Sequence, residues 1–143
     1  MRNLTLWIAL AVTLSNAYSP TVAAGEEYRY MSGQHLEEQL KAGKPLVVLD
    51  IQVEEEFRAH HIRGAVPTYA YPVKSEEDRM KLQASLEQIR AVDAPVVIVC
   101  PRGAGGAKRT YDHLRASGIS EQRLFILEKG QAGWNCAELT ESE

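Results

Sequence analysis

The sequence has little of what marks several large classes of protein. It has two cysteines, and Cys100 and Cys136 do not form the Cys-x-x-Cys pair of a thioredoxin-type dithiol. A net charge of −3 gives no reason to expect nucleic acid as a partner. There is no internal repeat and no low-complexity segment. With 143 residues, of which 45% are hydrophobic, the sequence indicates one ordinary globular domain.

Patterns for metals, nucleotides and dinucleotides are missing as well. His60 and His61 are adjacent and would diverge on a strand or turn, and no further Cys or His lies at a ligand spacing. A phosphate-binding loop needs Gly-Lys-Ser/Thr, whereas Ala107, Lys108 and Arg109 follow the glycines here. A dinucleotide fingerprint fails because Lys108 stands where the third glycine belongs. We therefore expect neither a metal nor a cofactor.

The N-terminus has the pattern of a secretory signal peptide. Arg2 precedes an apolar stretch over residues 4–14, which is too short for a spanning helix. Small residues permit cleavage after Ala24, which we favour, or after Ala17. We expect residues 1–24 to be the signal and residues 25–143 to form an exported, periplasmic or extracytoplasmic domain, with no stable membrane insertion after cleavage.

A strand, a glycine-rich loop and a helix follow one another around Cys100. Residues 95–99 are all Pro, Val or Ile, which is typical of a strand buried on both faces. After the glycines, an apolar stripe predicts a helix that ends near Gly118. The stripe is formed by Ala107, Tyr111 and Leu114. Open parallel sheets carry their reactive groups at such a carboxyl edge.

The loop is suited to activating the thiol of Cys100. Gly103, Gly105 and Gly106 allow backbone angles closed to other residues, so that successive amide N–H groups can converge on the sulfur. The following helix adds partial positive charge, which favours the thiolate and hence a nucleophile. The alternatives are a buried structural thiol and a disulfide with Cys136.

The rest of the chain alternates strands with helices. Ser32 is a candidate N-cap for a helix ending near Gly43, and Ser75 begins the longest helix. Short helices and buried strands lie between and after them. We predict a strand at 46–49, a helix at 53–59, a strand at 124–127 and a short helix at the C-terminus. We predict an α/β fold whose parallel sheet of about five strands is covered by helices on both faces. The longest helix should carry an apolar stripe, formed by Met80, Leu82, Leu86 and Ile89.

Three motifs in this order resemble the rhodanese family of sulfurtransferases. The first runs from Asp50 through Glu56 to the segment His61-Ile62-Arg63-Gly64-Ala65, the second is the loop after Cys100, and the third runs from Gly130 to Trp134. Two departures stand out: Gln52 occupies the place of a usual Arg, and Gly105 and Gly106 the place of Arg and Ser. The resemblance implies a single rhodanese-like domain with a structural role for Asp50, Glu56, His61 and Gly64.

The resemblance also implies an activity. Cys100 would take a sulfane sulfur from a small anionic donor such as thiosulfate or polysulfide, hold it as a persulfide and pass it to cyanide or a thiol. The predicted cradle for donor and sulfur consists of Pro101, Arg102, Gly103, Ala104, Gly105 and Gly106. Arg102 is the first candidate for holding the donor's anionic end, ahead of Arg63, Lys108 and Arg109.

Two alternatives to a sulfurtransferase remain. A domain that carries or senses polysulfide without turnover would need the same residues. A cysteine phosphatase or arsenate reductase needs Cys-x5-Arg to clamp its oxyanion, but the sixth residue after Cys100 is Gly106.

The signal-peptide pattern makes a prediction about the mature chain. We expect N-terminal sequencing of the protein from the extracytoplasmic fraction to begin at Gly25, because Val22 and Ala24 satisfy the small-residue rule for cleavage. An intact Met1 on cytoplasmic protein would contradict this prediction.

Overall fold

A computed structural model describes residues 27–143, and the signal-peptide prediction lies outside these residues. The elements follow in chain order. They are β1 (Tyr30–Met31), α1 (Gly33–Lys41), β2 (Val47–Asp50), α2 (Glu54–Ala59), β3 (His61–Ile62), β4 (Val66–Pro67), α3 (Glu76–Ala91), β5 (Val96–Val99), α4 (Gly105–Ala116), β6 (Leu124–Leu127) and β7 (Thr140–Glu141). Short 3-10 helices cover Glu121–Arg123, Gln131–Gly133 and Ala137–Leu139.

Five of the strands form one parallel sheet in the order β1-β6-β5-β2-β4. The prediction of an α/β fold with a parallel sheet of about five strands is confirmed. β3 and β7 form a separate antiparallel pair. β2 and β5 are parallel neighbours, and Asp50 lies opposite Val99. Asp50 and Cys100, the residue after Val99, therefore lie at the same edge of the sheet.

The sheet is covered on both faces, as its alternating side chains require. Leu49 and Ile98 belong to one buried cluster together with residues of α3 and α4. Val48 and Val97 belong to the opposite cluster together with Leu36 of α1. Side chains of a strand alternate between faces, so strands that are apolar at every position need cover on both sides.

Local signals at helix ends are seen as predicted. The Ser32 hydroxyl accepts a hydrogen bond from the His35 amide at 3.1 Å and begins α1. Ser75 and Asp78 form a reciprocal capping box at the start of α3. Gly118 follows α4 with a φ of +88°, the left-handed conformation that ends helices. Within residues 27–143, no helix combines the length and apolar character needed to cross a membrane.

One local prediction was wrong, and two were right except in detail. Met80 is 68% exposed, because it lies two residues before Leu82 and so points away from the buried stripe of α3. Helix α2 begins at Glu54, one residue later than predicted, because Val53 is its N-cap. The short C-terminal helix is a single 3-10 turn, Ala137–Leu139, and it ends where Thr140 and Glu141 pair with β3 as β7.

Candidate active site

Cys100 directly follows β5, the central strand, and its sulfur is held by backbone amides. The Gly103 amide donates to Cys100 Sγ at 3.0 Å and the Ala104 amide donates to it at 3.3 Å. The residue is 2% exposed. Two N–H groups aimed at one sulfur stabilise negative charge on it, and the N-terminus of α4 acts in the same direction.

The three loop glycines serve different purposes, which corrects the expectation that all of them provide unusual backbone angles. Gly103 alone has a left-handed φ, at +69°. Gly105 and Gly106 form the first turn of α4 with helical backbone. A Cβ at position 106 would lie 3.0 Å from the Tyr71 ring, so this position is restricted by contact. A Cβ at position 105 would meet only the flexible end of Arg109.

A second segment lies against the loop, backbone to backbone. The Gln131 amide donates to the Cys100 carbonyl at 2.8 Å, and the Ala132 amide donates to the Pro101 carbonyl at 3.0 Å. Gly130 has a φ of +56°, and a Cβ there would lie 2.0 Å from the Cys100 carbonyl oxygen. Sequence reasoning marked this segment only through the family pattern. The sole local signal was a glycine soon after a buried strand.

Asp50 is completely buried beside the loop, at the end of β2. Its carboxylate accepts hydrogen bonds from the Gln52 amide at 2.8 Å and from Gln52 Nε2 at 3.1 Å. Loss of water raises the pKa of Asp50 to about 6, and the bonds from Gln52 and the nearby His61 only partly oppose this. A neutral hydrogen bond from Gln52 thus takes the place of the usual Arg of the family motif, and the carboxylate has no ion pair with any residue in 27–143.

The other residues of the first motif differ in their environment. His61 is buried and stacks on Phe57 at 3.9 Å, and its Nδ1 donates to the Phe57 carbonyl at 2.8 Å. Gly64 makes the turn between β3 and β4 with a φ of +77°. The Glu56 side chain is exposed and has no hydrogen bond or ion pair to any residue in 27–143. His61 and Gly64 therefore sit in structural positions, whereas Glu56 has no visible structural partner.

Among the four candidate cations, Arg102 differs from the rest. Arg109 donates twice to the Pro72 carbonyl, at 2.8 and 3.0 Å. Arg63 pairs with Glu141 at 2.9 Å, and Lys108 lies 5.2 Å from the centre of an aromatic ring. Arg102 is exposed and has no side-chain partner in the part of the chain that the structure describes. It is the candidate most available to an incoming anion.

Cys136 lies away from this arrangement. Both cysteines are free thiols. Cys136 is 9% exposed. The pKa of Glu37 on α1 is lowered by a hydrogen bond from Lys41 and, to a smaller extent, by one from Cys136. In residues 27–143, no group of three or more His, Cys, Asp or Glu side chains could hold a metal ion.

The fold and this site define the chain as one α/β domain built around a cysteine-bearing loop at the carboxyl edge of a parallel sheet. The model of the rhodanese-like domain matches residues 32–137. The chain therefore belongs to the rhodanese-like domain family, a family related to sulfurtransferases, and the resemblance seen in its motifs is confirmed. A comparison with curated proteins finds no match.

Solved structures share the fold at low sequence identity. The rhodanese-like domain of the Anabaena protein Alr3790 has a TM-score of 0.61 and 20% identity, over 82% of this chain and 81% of that one. Thiosulfate sulfurtransferase from Pseudomonas aeruginosa has a TM-score of 0.62 and 24% identity, over 81% of this chain and 20% of that one. Yeast Ygr203w, described as a protein tyrosine phosphatase of the rhodanese family, has a TM-score of 0.59 and 17% identity, over 79% of this chain and 91% of that one.

The contact between Gly130 and the loop predicts a large loss of stability on substitution. Gly130→Ala combines left-handed backbone strain with a clash against the Cys100 carbonyl, and we expect it to lower the free energy of unfolding by at least about 3 kcal/mol. Gly43→Ala is the matched control, because Gly43 has a φ of +64° and nothing within 4 Å of a new Cβ. It should cost only about 1 kcal/mol. Equal losses in urea titrations would contradict the contact argument.

The buried Asp50 carboxyl predicts a pH-dependent stability. Because its folded pKa of about 6 exceeds its unfolded value of 3.8, the stabilisation is fully present below pH 4 and is lost as the pH rises through 6. The loss should amount to about 3 kcal/mol. Asp50→Asn cannot titrate, so its free energy of unfolding relative to the wild type should rise between pH 4 and pH 6. Parallel curves for the two proteins would show that Asp50 ionises normally.

Proposed function

We propose that the protein is a sulfurtransferase that carries a sulfane sulfur on Cys100. The observation that carries the proposal is the pair of amides, Gly103 and Ala104, donating to Cys100 Sγ at 3.0 and 3.3 Å. A group-transfer thiol must accept and release negative charge at one sulfur. Fixed backbone donors stabilise that charge without reorganising during the reaction.

The proposed reaction has two steps. In the first, the Cys100 thiolate attacks the outer sulfur of thiosulfate, the S–S bond of the donor breaks, and sulfite leaves with the electron pair. In the second, cyanide or a thiolate attacks the outer sulfur of the Cys100 persulfide, and Cys100 departs as a thiolate. The products are thiocyanate or an acceptor persulfide. The cycle needs no external oxidant or reductant and no cofactor.

Arg102 supports the binding of an anionic donor. It follows Cys100 by two residues, is exposed, and has no side-chain partner within residues 27–143. A guanidinium without an internal carboxylate is free to pair with the oxygens of an anionic donor. The low exposure of Cys100 favours donors that present a single narrow sulfur. If the predicted signal is cleaved, this chemistry takes place outside the cytoplasm.

Phosphatase chemistry receives less support from the site. A cysteine phosphatase needs a guanidinium six residues after its cysteine to clamp the oxyanion. Position 106 is a glycine whose side-chain direction is occupied by the Tyr71 ring. The nearest arginine on α4, Arg109, is engaged with the Pro72 carbonyl.

The cysteine proposal predicts a loss that is specific to Cys100. Cys100→Ser should fold normally but should neither gain a sulfur from thiosulfate nor turn over cyanide, because a hydroxyl cannot form the persulfide. Mass spectrometry after donor exposure, with and without cyanide, measures the bound sulfur. Cys136→Ser is the matched control and should keep most activity, since Cys136 has no amide cradle. A wild-type protein that gains sulfur but does not turn over would be a carrier instead of an enzyme.

The same proposal predicts a binding defect in Arg102→Ala. The KM for thiosulfate should rise about tenfold, equivalent to about 1.4 kcal/mol, with a smaller effect on kcat, because the contact forms in the ground state. Salt should weaken donor binding in the wild type more than in the variant. Lys81→Ala, at an exposed position on α3, serves as the charge control. An unchanged KM and salt response would show that the backbone cradle alone binds the donor.

A further inference from the structure

A polar cavity lies beside the Cys100 loop, and of its lining residues only Arg102 has a part in the proposed first step. Its volume is about 270 Å³. Pro101 and Arg102 form its wall on the side of the loop. Its other polar residues are Gln52, Glu56, His60 and Gln131. The cavity therefore touches the two residues that follow the sulfur-carrying cysteine.

The cavity holds two opposite charges that do not meet. Glu56 and Arg102 line the same space, yet neither makes an ion pair within 4 Å with the other or with any residue in 27–143. A carboxylate and a guanidinium that are both free of internal partners complement a ligand bearing one ammonium and one carboxylate.

Gln131 is an independent sign that a polar ligand belongs here. It is 3% exposed, and neither its Nε2 nor its Oε1 has a hydrogen-bond partner in the described chain. Buried amides are nearly always hydrogen-bonded, so an unpaired one calls for a water or a ligand group. An amide offers both a donor and an acceptor, and it can therefore pair with either end of a zwitterion.

We propose that the cavity between Glu56, Arg102 and Gln131 binds the acceptor of the second step, and that this acceptor is a small zwitterionic thiol of the amino-acid type. This inference rests on the proposed function. Glu56 holds the ammonium group and Arg102 the carboxylate. The acceptor thiolate attacks the outer sulfur of the Cys100 persulfide, the S–S bond to Cys100 breaks, and the electron pair returns to Cys100 as thiolate.

The test uses four thiols that differ in charge. L-cysteine has both charges, cysteamine only the ammonium, 3-mercaptopropionate only the carboxylate, and 2-mercaptoethanol neither. The KM of each is measured with thiosulfate as donor at saturating concentration, so that the donor-binding defect expected for Arg102→Ala does not enter. Each variant is compared with the wild type for the same thiol. Differences in intrinsic thiol reactivity then cancel.

Each variant has its own expected pattern. Glu56→Gln should raise the KM about tenfold for L-cysteine and cysteamine, and less than about twofold for the other two thiols. Arg102→Ala should instead raise the KM for L-cysteine and 3-mercaptopropionate, the two thiols that carry a carboxylate. Gln131→Met, of similar shape but apolar, should raise the KM for L-cysteine without lowering the melting temperature. Glu55→Gln, on the same helix but outside the cavity, should leave all four KM values unchanged.

The outcomes separate this inference from the proposed function. If the wild type gains no sulfur from thiosulfate, the proposed function is wrong. Suppose instead that it gains sulfur and transfers it to cyanide, but Glu56→Gln changes the KM for all four thiols equally or for none of them. The proposed acceptor site is then wrong, and the sulfurtransferase proposal stands.

Discussion

Hydrogen bonds from the amides of Gln131 and Ala132 to the carbonyls of Cys100 and Pro101 join two backbone segments at the edge of the sheet. This approach is possible because Gly130 and Gly103 have no side chains; a Cβ on either would lie within 3 Å of the opposite backbone. With its carbonyls held from behind, the loop presents its own amides to the sulfur. The shape of the cradle thus depends on a segment about thirty residues further along the chain.

The parallel sheet supplies the platform for that contact. β5 and β6 are neighbours, so the segments that follow them emerge side by side at one edge. β2 lies on the other side of β5 and brings the buried Asp50 to the same edge. Here a glutamine replaces the arginine of the family motif, and the carboxyl is stabilised by hydrogen bonds instead of an opposite charge. Its pKa is raised by burial, which the hydrogen bonds from Gln52 only partly offset.

The charged side chains around the loop form two groups, those that bind other protein groups and those that do not. Arg63 and Arg109 are committed to protein oxygens and so belong to the scaffold. Within residues 27–143, Arg102 and Glu56 have no such partner, and both line the cavity next to the Cys100 loop. The backbone therefore provides the charge stabilisation at the sulfur, while the free side chains are left for selecting what approaches it. Gln131 links the two sets, since its amide N–H holds the loop and its side chain borders the cavity.

The sequence by itself determined the helix caps, the buried strands, the parallel fold and the placement of Cys100 after the central strand, because these depend on neighbouring residues and short periodicities. It placed Met80 in the core wrongly, because Met80 lies two residues before Leu82 and the two side chains cannot share one face of α3. Only the tertiary structure decided that Gly103 alone needs a left-handed backbone, that Gly106 makes room for Tyr71, and that Gly130 and Gln131 support the loop. Those roles arise from contacts between residues far apart in the chain, which no local pattern records.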